Sequence, residues 1–363
     1  MRIGIDAREI CGKPTGVGRY LRGLLARWSE RGTAAHHTFV LYVHDTPGSS
    51  LPASLTVRLL PGAGGTSWEQ LRLPIAVQRD GLDVFFAPAY SAPLLLRVPL
   101  VLTIHDLSFV AHPEWFKPRE GVRRRWLTHW AARRARLVLT DSEFSRREII
   151  ARLGISPSRV RAVRLGIASR TDSGATRQPR DPMVLFVGSI FNRRHLPDLI
   201  RAFKLAAAQS TDARLEIVGD DRTYPAQDLA SIVASEGLVD RVSIRSYVSD
   251  DTLADLYRRA RAFAFLSEYE GFGLTPLEAL ASGVPVVMTD TPVARETCGD
   301  AALYATAGDL AGVAAALGSL LSDERVRSRL LMRAEETVAK YSWEDAARAT
   351  LAAIEDAGNT HRD

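Results

Sequence analysis

Cysteine is almost absent from this 363-residue chain, and the two present, Cys11 and Cys298, stand far apart. They make neither a disulfide framework nor a metal-ligand spacing, so a reducing cytoplasm is the expected compartment. No charged segment followed by an apolar stretch and a small-residue cleavage site opens the chain. Residues 1–6, MRIGID, read at once as a strand, and no export signal is expected. Long apolar runs are missing too: the most apolar, Pro93 to Ile104, is interrupted by Arg97 and Pro99. It falls well short of the roughly 20 residues that span a bilayer, so any meeting with a membrane is at its surface. There is no repeat of solenoid period. There is also no Asp-x-Asp motif, and no metal site is expected.

What is present is an ordinary folded composition, 46% hydrophobic and 25% charged, in a chain long enough for two compact domains. The net charge is +5, and its excess is local. Lys117, Arg119, Arg123, Arg124, Arg125, Arg133, Arg134 and Arg136 face only Glu120 in the same stretch. Such a patch attracts phosphate head groups, a diphosphate-bearing lipid or nucleic acid, and a solvated helix face is the plain alternative.

Short β-rich apolar runs alternate with helical patterns along the whole chain, the sequence form of α/β layers around largely parallel sheets. The first series of strand candidates is Arg2 to Asp6, Thr38 to Val43, Thr56 to Leu60, Asp83 to Ala87, Val101 to Ile104, Leu137 to Thr140 and Val160 to Val163. The second is Met183 to Val187, Arg214 to Val218, Val242 to Ile244, Ala262 to Phe265, Val284 to Met288 and Ala302 to Tyr304. Between them Ala168 to Pro182 is polar and rich in Ser, Thr, Gly and Pro. The expected division is therefore a first domain at 1–170, a linker at 171–182 and a second domain at 183–341. A C-terminal helix and tail at 342–363 are free to pack back on the first domain.

Several loops carry residues suited to binding anions and sugars. Gly16, Val17 and Gly18 open a helix after the first strand, where backbone N–H groups and the helix dipole suit a phosphate. The position of a third fingerprint glycine holds Leu21, so this is not the dinucleotide motif, and a plain turn and cap is the alternative. In the second half Gly188 ends a strand and Arg193 and Arg194 precede a helix; paired guanidinium groups suit a diphosphate. The clearest pattern runs from Glu270 to Glu278, with Phe272, Gly273 and Leu274 between and Pro276 in the first helical turn. Two carboxylates flanking such a turn can each accept paired hydrogen bonds from vicinal hydroxyls. His105 and Asp106 end a strand on the side where ligands lie in open α/β sheets.

The stretch from Glu270 to Glu278, a Glu, seven residues and a Glu around GFG, resembles the family 4 (group 1) glycosyltransferases of the GT-B fold. The similarity extends to the Gly16 to Tyr20 loop, Thr103 to Leu107, Phe186 to Ser189, Gly219 and Gly283 to Val287, and so covers nearly the whole chain. His112 to Phe116, HPEWF, is similar to the mannosyltransferase-like branch. The resemblance implies two Rossmann-like domains with mainly parallel sheets facing across a cleft. It also implies retaining transfer of a hexose from a nucleotide diphosphate sugar, GDP-mannose-like or a UDP-sugar, to a saccharide or lipid-linked acceptor. By matching positions, Glu278 holds the nucleotide ribose and Glu270 the sugar hydroxyls. Arg193 and Arg194 neutralise the departing diphosphate, helped by the backbone of Gly16, Val17 and Gly18 and by Gly188. Phe272, Gly273 and Leu274 offer N–H groups, and His105 touches the sugar near the reacting carbon. Arg194 stands where the family usually has lysine, and His195 where asparagine or glycine is common. Both glutamates are expected on the cleft wall and not in a core.

No cofactor is implied, and the two arginines take the charge role a metal would fill. A second activity on the same fold, an epimerase or phosphorylase, remains as an alternative. A basic nucleic-acid-binding protein is the reading from another class, but no helix-turn-helix, zinc or RNP-like pattern is present and nucleic acid is not the expected partner. The expected location is cytoplasmic, peripheral at the inner face of the membrane through residues 117–136.

Overall fold

A computed structural model describes residues 1–12, 16–30, 36–47, 51–167, 179–208 and 210–359. The chain divides into two units by its contacts. The first comprises Met1–Pro113, Pro118–Gly166 and Tyr341–Asp363, and the second Glu114–Lys117 and Ile167–Lys340.

The first unit is built on a seven-stranded sheet in the order β3-β2-β1-β4-β5-β6-β7. Its strands are β1 (Arg2–Asp6), β2 (Thr38–Val43), β3 (Thr56–Leu59), β4 (Val84–Ala87), β5 (Leu100–Thr103), β6 (Leu137–Thr140) and β7 (Val160–Ala162). The second unit holds a six-stranded sheet in the order β10-β9-β8-β11-β12-β13. These are β8 (Asp181–Val187), β9 (Arg214–Val218), β10 (Val242–Arg245), β11 (Ala260–Phe265), β12 (Val286–Thr289) and β13 (Ala302–Ala305). Every pairing in both sheets is parallel. Parallel strands need crossover helices on both faces, so their central members are apolar throughout and not alternating. The tetrad LVLT, which forms both β5 and β6, is fully buried each time. The edge strand β3 is exposed along its length and carries Arg58; exposure and charge there discourage pairing with another chain.

The expected linker lies outside the described residues as far as 178, while Asp181 and Pro182 already belong to β8. In the first unit the helix Gly16–Trp28 buries Tyr20, Leu21, Leu24, Leu25 and Trp28, one stripe at helical spacing. The final helix, Trp343–Asn359, packs against it within the same unit, and Trp28 Nε1 donates to the Ala347 carbonyl at 2.9 Å. In each sheet the strand order reverses once, between β1 and β4 and between β8 and β11. Ligands of open α/β sheets lie outside the strands' carboxyl ends at such a reversal.

Candidate functional site

In the second unit, the loops after β8 and β11 bring together residues 76 positions apart. Arg194 Nε donates to Glu270 Oε1 at 2.9 Å, Ser267 Oγ donates to the same oxygen at 2.8 Å, and Arg193 Nε stands 3.9 Å from it. All of these contacts converge on Oε1, which leaves Oε2 of Glu270 available to accept from a ligand hydroxyl. Burial would raise the Glu270 carboxyl, but the two guanidinium groups and the Ser267 hydroxyl outweigh it and hold the carboxyl below the usual range. Two arginines thus share one carboxylate, a local excess of positive charge. Arg193 is buried, lies 4.4 Å from the Phe191 ring centroid, and has no hydrogen-bond partner at its Nε. An unpaired buried guanidinium nitrogen is costly, and an anion would satisfy it.

Gly188 follows β8 with φ +144, and a Cβ there would come within 2.4 Å of Arg194 Nη1. The missing side chain is therefore what lets that guanidinium lie across the end of the strand, where Nη1 also donates to the Ser189 carbonyl at 2.7 Å. His195 adopts φ +49, left-handed backbone in which asparagine or glycine is also at ease. Its ring lies 3.1 Å from Glu268 and 3.5 Å from Asp198, with no hydrogen bond formed at Nε2.

Gly273 has φ +102 and stands before the helix Leu274–Ala281, so its left-handed backbone makes the turn from loop to helix. Glu270, Phe272 and Gly273 line one small pocket together with Phe265, Ser267, Met288 and Thr291. Glu278 is on that helix but is buried, and Tyr257 OH donates to its Oε2 at 3.4 Å. The expectation that both glutamates are surface groups of a wall is thus corrected for Glu278: the apolar helix LTPLEALA packs against the sheet and carries it inward.

In the first unit Gly16, Val17 and Gly18 open their helix, Gly16 exposed and Gly18 buried. His105, one residue beyond Ile104 after β5, is engaged at both ring nitrogens: Nδ1 lies 2.7 Å from Asp141 Oδ2 and Nε2 2.8 Å from the Pro88 carbonyl. Its expected contact with a sugar therefore cannot use a free ring nitrogen in this conformation. Burial lowers the ring's pKa, while Asp141, the Pro88 carbonyl and Asp106 raise it, and the balance lies above the ordinary value.

Sequence reasoning missed several residues. Asp141 was identifiable as the polar residue directly after LVLT of β6, as His105 follows β5. Ser267 has no signature, because its role arises from the fold of the β11 loop. A third group joins Asp6, Arg8 and Glu69. Arg8 Nη2 pairs with Asp6 Oδ2 at 2.8 Å and with Glu69 Oε1, and Ser91 Oγ donates to Glu69 at 2.6 Å. Burial, opposed by Arg8 and reinforced by Glu69, pushes the Asp6 carboxyl up to about 6. Glu69 sits on a π-helical turn, Trp68–Arg72, of the kind that often marks functional sites.

Residues 14–170 match the model of Glycosyltransferase Family 4, and residues 170–337 that of Glycosyl transferases group 1. The chain is 29% identical over 288 residues to O-antigen chain mannosyltransferase B of Escherichia coli, covering 75% of this chain and 74% of that protein. It is 25% identical to the GDP-mannose:cellobiosyl-diphosphopolyprenol alpha-mannosyltransferase of Xanthomonas campestris, covering 61% and 57% of the two chains. Among solved structures, sucrose-phosphate synthase from Thermosynechococcus elongatus superposes with a TM-score of 0.76 over 98% of both chains at 18% identity, a likeness of fold.

Proposed function

From the premise that this chain belongs to the glycosyltransferases of family 4, group 1, and is an enzyme of the GT-B fold, we propose that it transfers a hexose from a nucleotide diphosphate sugar to a hydroxyl of a saccharide or lipid-linked acceptor, with retention at the anomeric carbon. Both relatives are named for mannose transfer and one for GDP-mannose, which favours GDP-mannose as the donor. The observation that carries the reading is the pair Arg193 and Arg194 set against the single Glu270 at the β8–β11 reversal, with the Arg193 Nε unpartnered. In this reading the guanidinium groups receive the diphosphate and stabilise the charge that develops on it. The backbone of Phe272, Gly273 and Leu274, in the same unit, supports it. Glu270 Oε2 accepts from sugar hydroxyls, and Glu278 from the ribose. No metal is needed for the leaving group. A thermal-shift panel of nucleotide sugars tests this, since a donor at 100 times its Kd stabilises by about 2.7 kcal/mol. Product analysis of the donor that shifts then reads transfer and anomeric outcome; stabilisation by no nucleotide sugar overturns the assignment.

A lipid-linked acceptor calls for contact with a membrane, and no helix among the described residues is long and apolar enough to cross one. The helix Pro118–Arg134 exposes Val122, Trp126 and Trp130, four residues apart and hence on one stripe, beside the exposed Arg119, Arg123 and Arg133. Tryptophan with arginine on one helix face suits an anionic interface, each basic residue adding about 1 kcal/mol. Arg124 is ion-paired with Glu120 at 2.9 Å and Arg125 donates to the Phe109 carbonyl at 3.3 Å, so neither is the residue to test. Trp126→Ser with Trp130→Ser is expected to abolish binding to phosphatidylglycerol vesicles at low salt; unaltered binding removes the membrane from the proposal.

A further inference from the structure

We propose that Asp141 and His105 form a positioning pair, a clamp held by one shared proton that ties together the ends of three neighbouring strands and fixes the turn after β4 for the transfer reaction. The kinetic part of this proposal rests on the glycosyltransferase reading; its structural part does not.

The geometry is set by the sheet. β4, β5 and β6 are consecutive neighbours, and each ends at the same edge. Pro88 is the first residue after β4 and Asp141 the first after β6; His105 follows β5 between them. The imidazole spans the gap, with Nε2 2.8 Å from the Pro88 carbonyl and Nδ1 2.7 Å from Asp141 Oδ2. A carbonyl oxygen only accepts, so Nε2 carries a hydrogen. An ionised carboxylate only accepts, so Nδ1 carries one as well. The bridge to both sides thus contains one proton more than a neutral imidazole with an ionised aspartate can supply. In the clamp that proton sits on the ring, an imidazolium held between the Pro88 carbonyl and the Asp141 carboxylate.

The clamp has something to hold. Tyr90, two residues beyond Pro88, has φ +34, a backbone region that bulky residues avoid and that persists only where the surroundings impose it. Its ring meets the His105 ring edge-on at 5.7 Å, and Tyr20 meets the same ring from the helix Gly16–Trp28 at 5.0 Å. Asp141 is buried at 3% exposure, so water does not readily replace it as the partner of Nδ1. The titratable groups facing the ring are Asp141, Asp106, Tyr20 and Tyr90. The only charges among them are the two carboxylates, which favour the proton. Burial opposes it and is outweighed, so the ring keeps its proton to a higher pH than an ordinary histidine. On the alkaline side the shared proton leaves, the neutral ring keeps one N–H, and one of the two bridges opens.

Asp141→Asn separates this role from simple packing. The amide has the carboxylate's size and can donate to Nδ1 of a neutral ring whose Nε2–H still serves Pro88, which leaves a clamp with no titrating proton. In the parent protein, imidazole-nitrogen NMR is expected to show both His105 nitrogens protonated at neutral pH, titrating above the ordinary value of about 6.5. The kcat/KM profile is expected to fall along the same titration, about tenfold per pH unit. In Asp141→Asn the ring is expected to be protonated at Nε2 alone and the profile to be flat across the range where the parent declines. Asp141→Ala, which offers Nδ1 nothing, is expected to lower kcat further than Asp141→Asn. A neutral His105 in the parent at pH 7 overturns the proposal, as does an alkaline decline that Asp141→Asn retains. Should no nucleotide sugar give transfer, the functional reading fails while the NMR titration still decides the clamp. Should Asp141→Asn not fold, the parent titration decides it alone.

Discussion

Glu270→Ala removes the one carboxylate that two arginines share, and its effect on stability can be worked out before its effect on turnover. Breaking a buried ion pair by deleting one partner costs about 3 to 5 kcal/mol, because the surviving charge is stranded. Arg194 and Glu270 retain 12% and 15% side-chain exposure, so some water reaches the stranded guanidinium. A loss of about 2 to 3 kcal/mol follows, just below that range. For a unit of this size each kcal/mol moves the melting temperature by about 2 to 4 °C, which gives a fall of about 4 to 12 °C by calorimetry of the unliganded protein. A diphosphate then meets Arg193 and Arg194 without their carboxylate, so a nucleoside diphosphate should raise the variant's melting temperature at least as far as it raises the parent's. Turnover should nevertheless fall about 100-fold, since a sugar misplaced by an ångström loses attack geometry. The same pair sets an acid dependence. The folded Glu270 carboxyl lies below its unfolded value, so its stabilisation is complete above about pH 4.3. It is lost as pH falls through the folded pKa. An unliganded Glu270→Ala that melts within about 1 °C of the parent, or that no longer responds to nucleoside diphosphate, would refute this account of the arginine pair.

Glu278→Ala should instead weaken nucleotide binding, for the free nucleoside diphosphate as well as the donor. A hydrogen bond to a charged group contributes about 1.5 to 3 kcal/mol, so the titrated affinity should drop roughly 10-fold to 150-fold; unchanged affinity would move the ribose elsewhere. Gly188→Ala places a Cβ within 2.4 Å of Arg194 Nη1 at a φ of +144, and is expected to lower both melting temperature and turnover by displacing that guanidinium. An active, fully stable Gly188→Ala would show that Arg194 works from another position. Transfer is expected to persist in EDTA, because two arginines can carry the leaving group's charge. Abolition by EDTA with recovery in magnesium or manganese would contradict it.

Much of the architecture was legible along the chain because strand formation in a parallel sheet is a local property. Runs such as VLYV in β2 and LVLT in β5 and β6 are apolar on both faces, and no other common element is so short and so uniformly buried. The turns were equally local: glycine at 16, 18 and 273 marks where a helix begins after a loop. Boundaries shifted at strand ends, β8 starting at Asp181 and not at Met183, because ladder hydrogen bonds extend pairing into residues that composition assigns to a linker.

The sequence by itself determined which segments are strands, which loops hold glycine and arginine, and that the two glutamates stand eight residues apart around GFG. Only the tertiary structure decided what those loops meet. The pairing of Arg194 with Glu270, the Asp141 carboxylate beside His105, and the burial of Glu278 beneath Tyr257 join positions 76, 36 and 21 residues apart. The reason is the crossover connection. Residues at the ends of neighbouring parallel strands become adjacent only once the intervening helices have packed and the strand order is set, and no local pattern records that order.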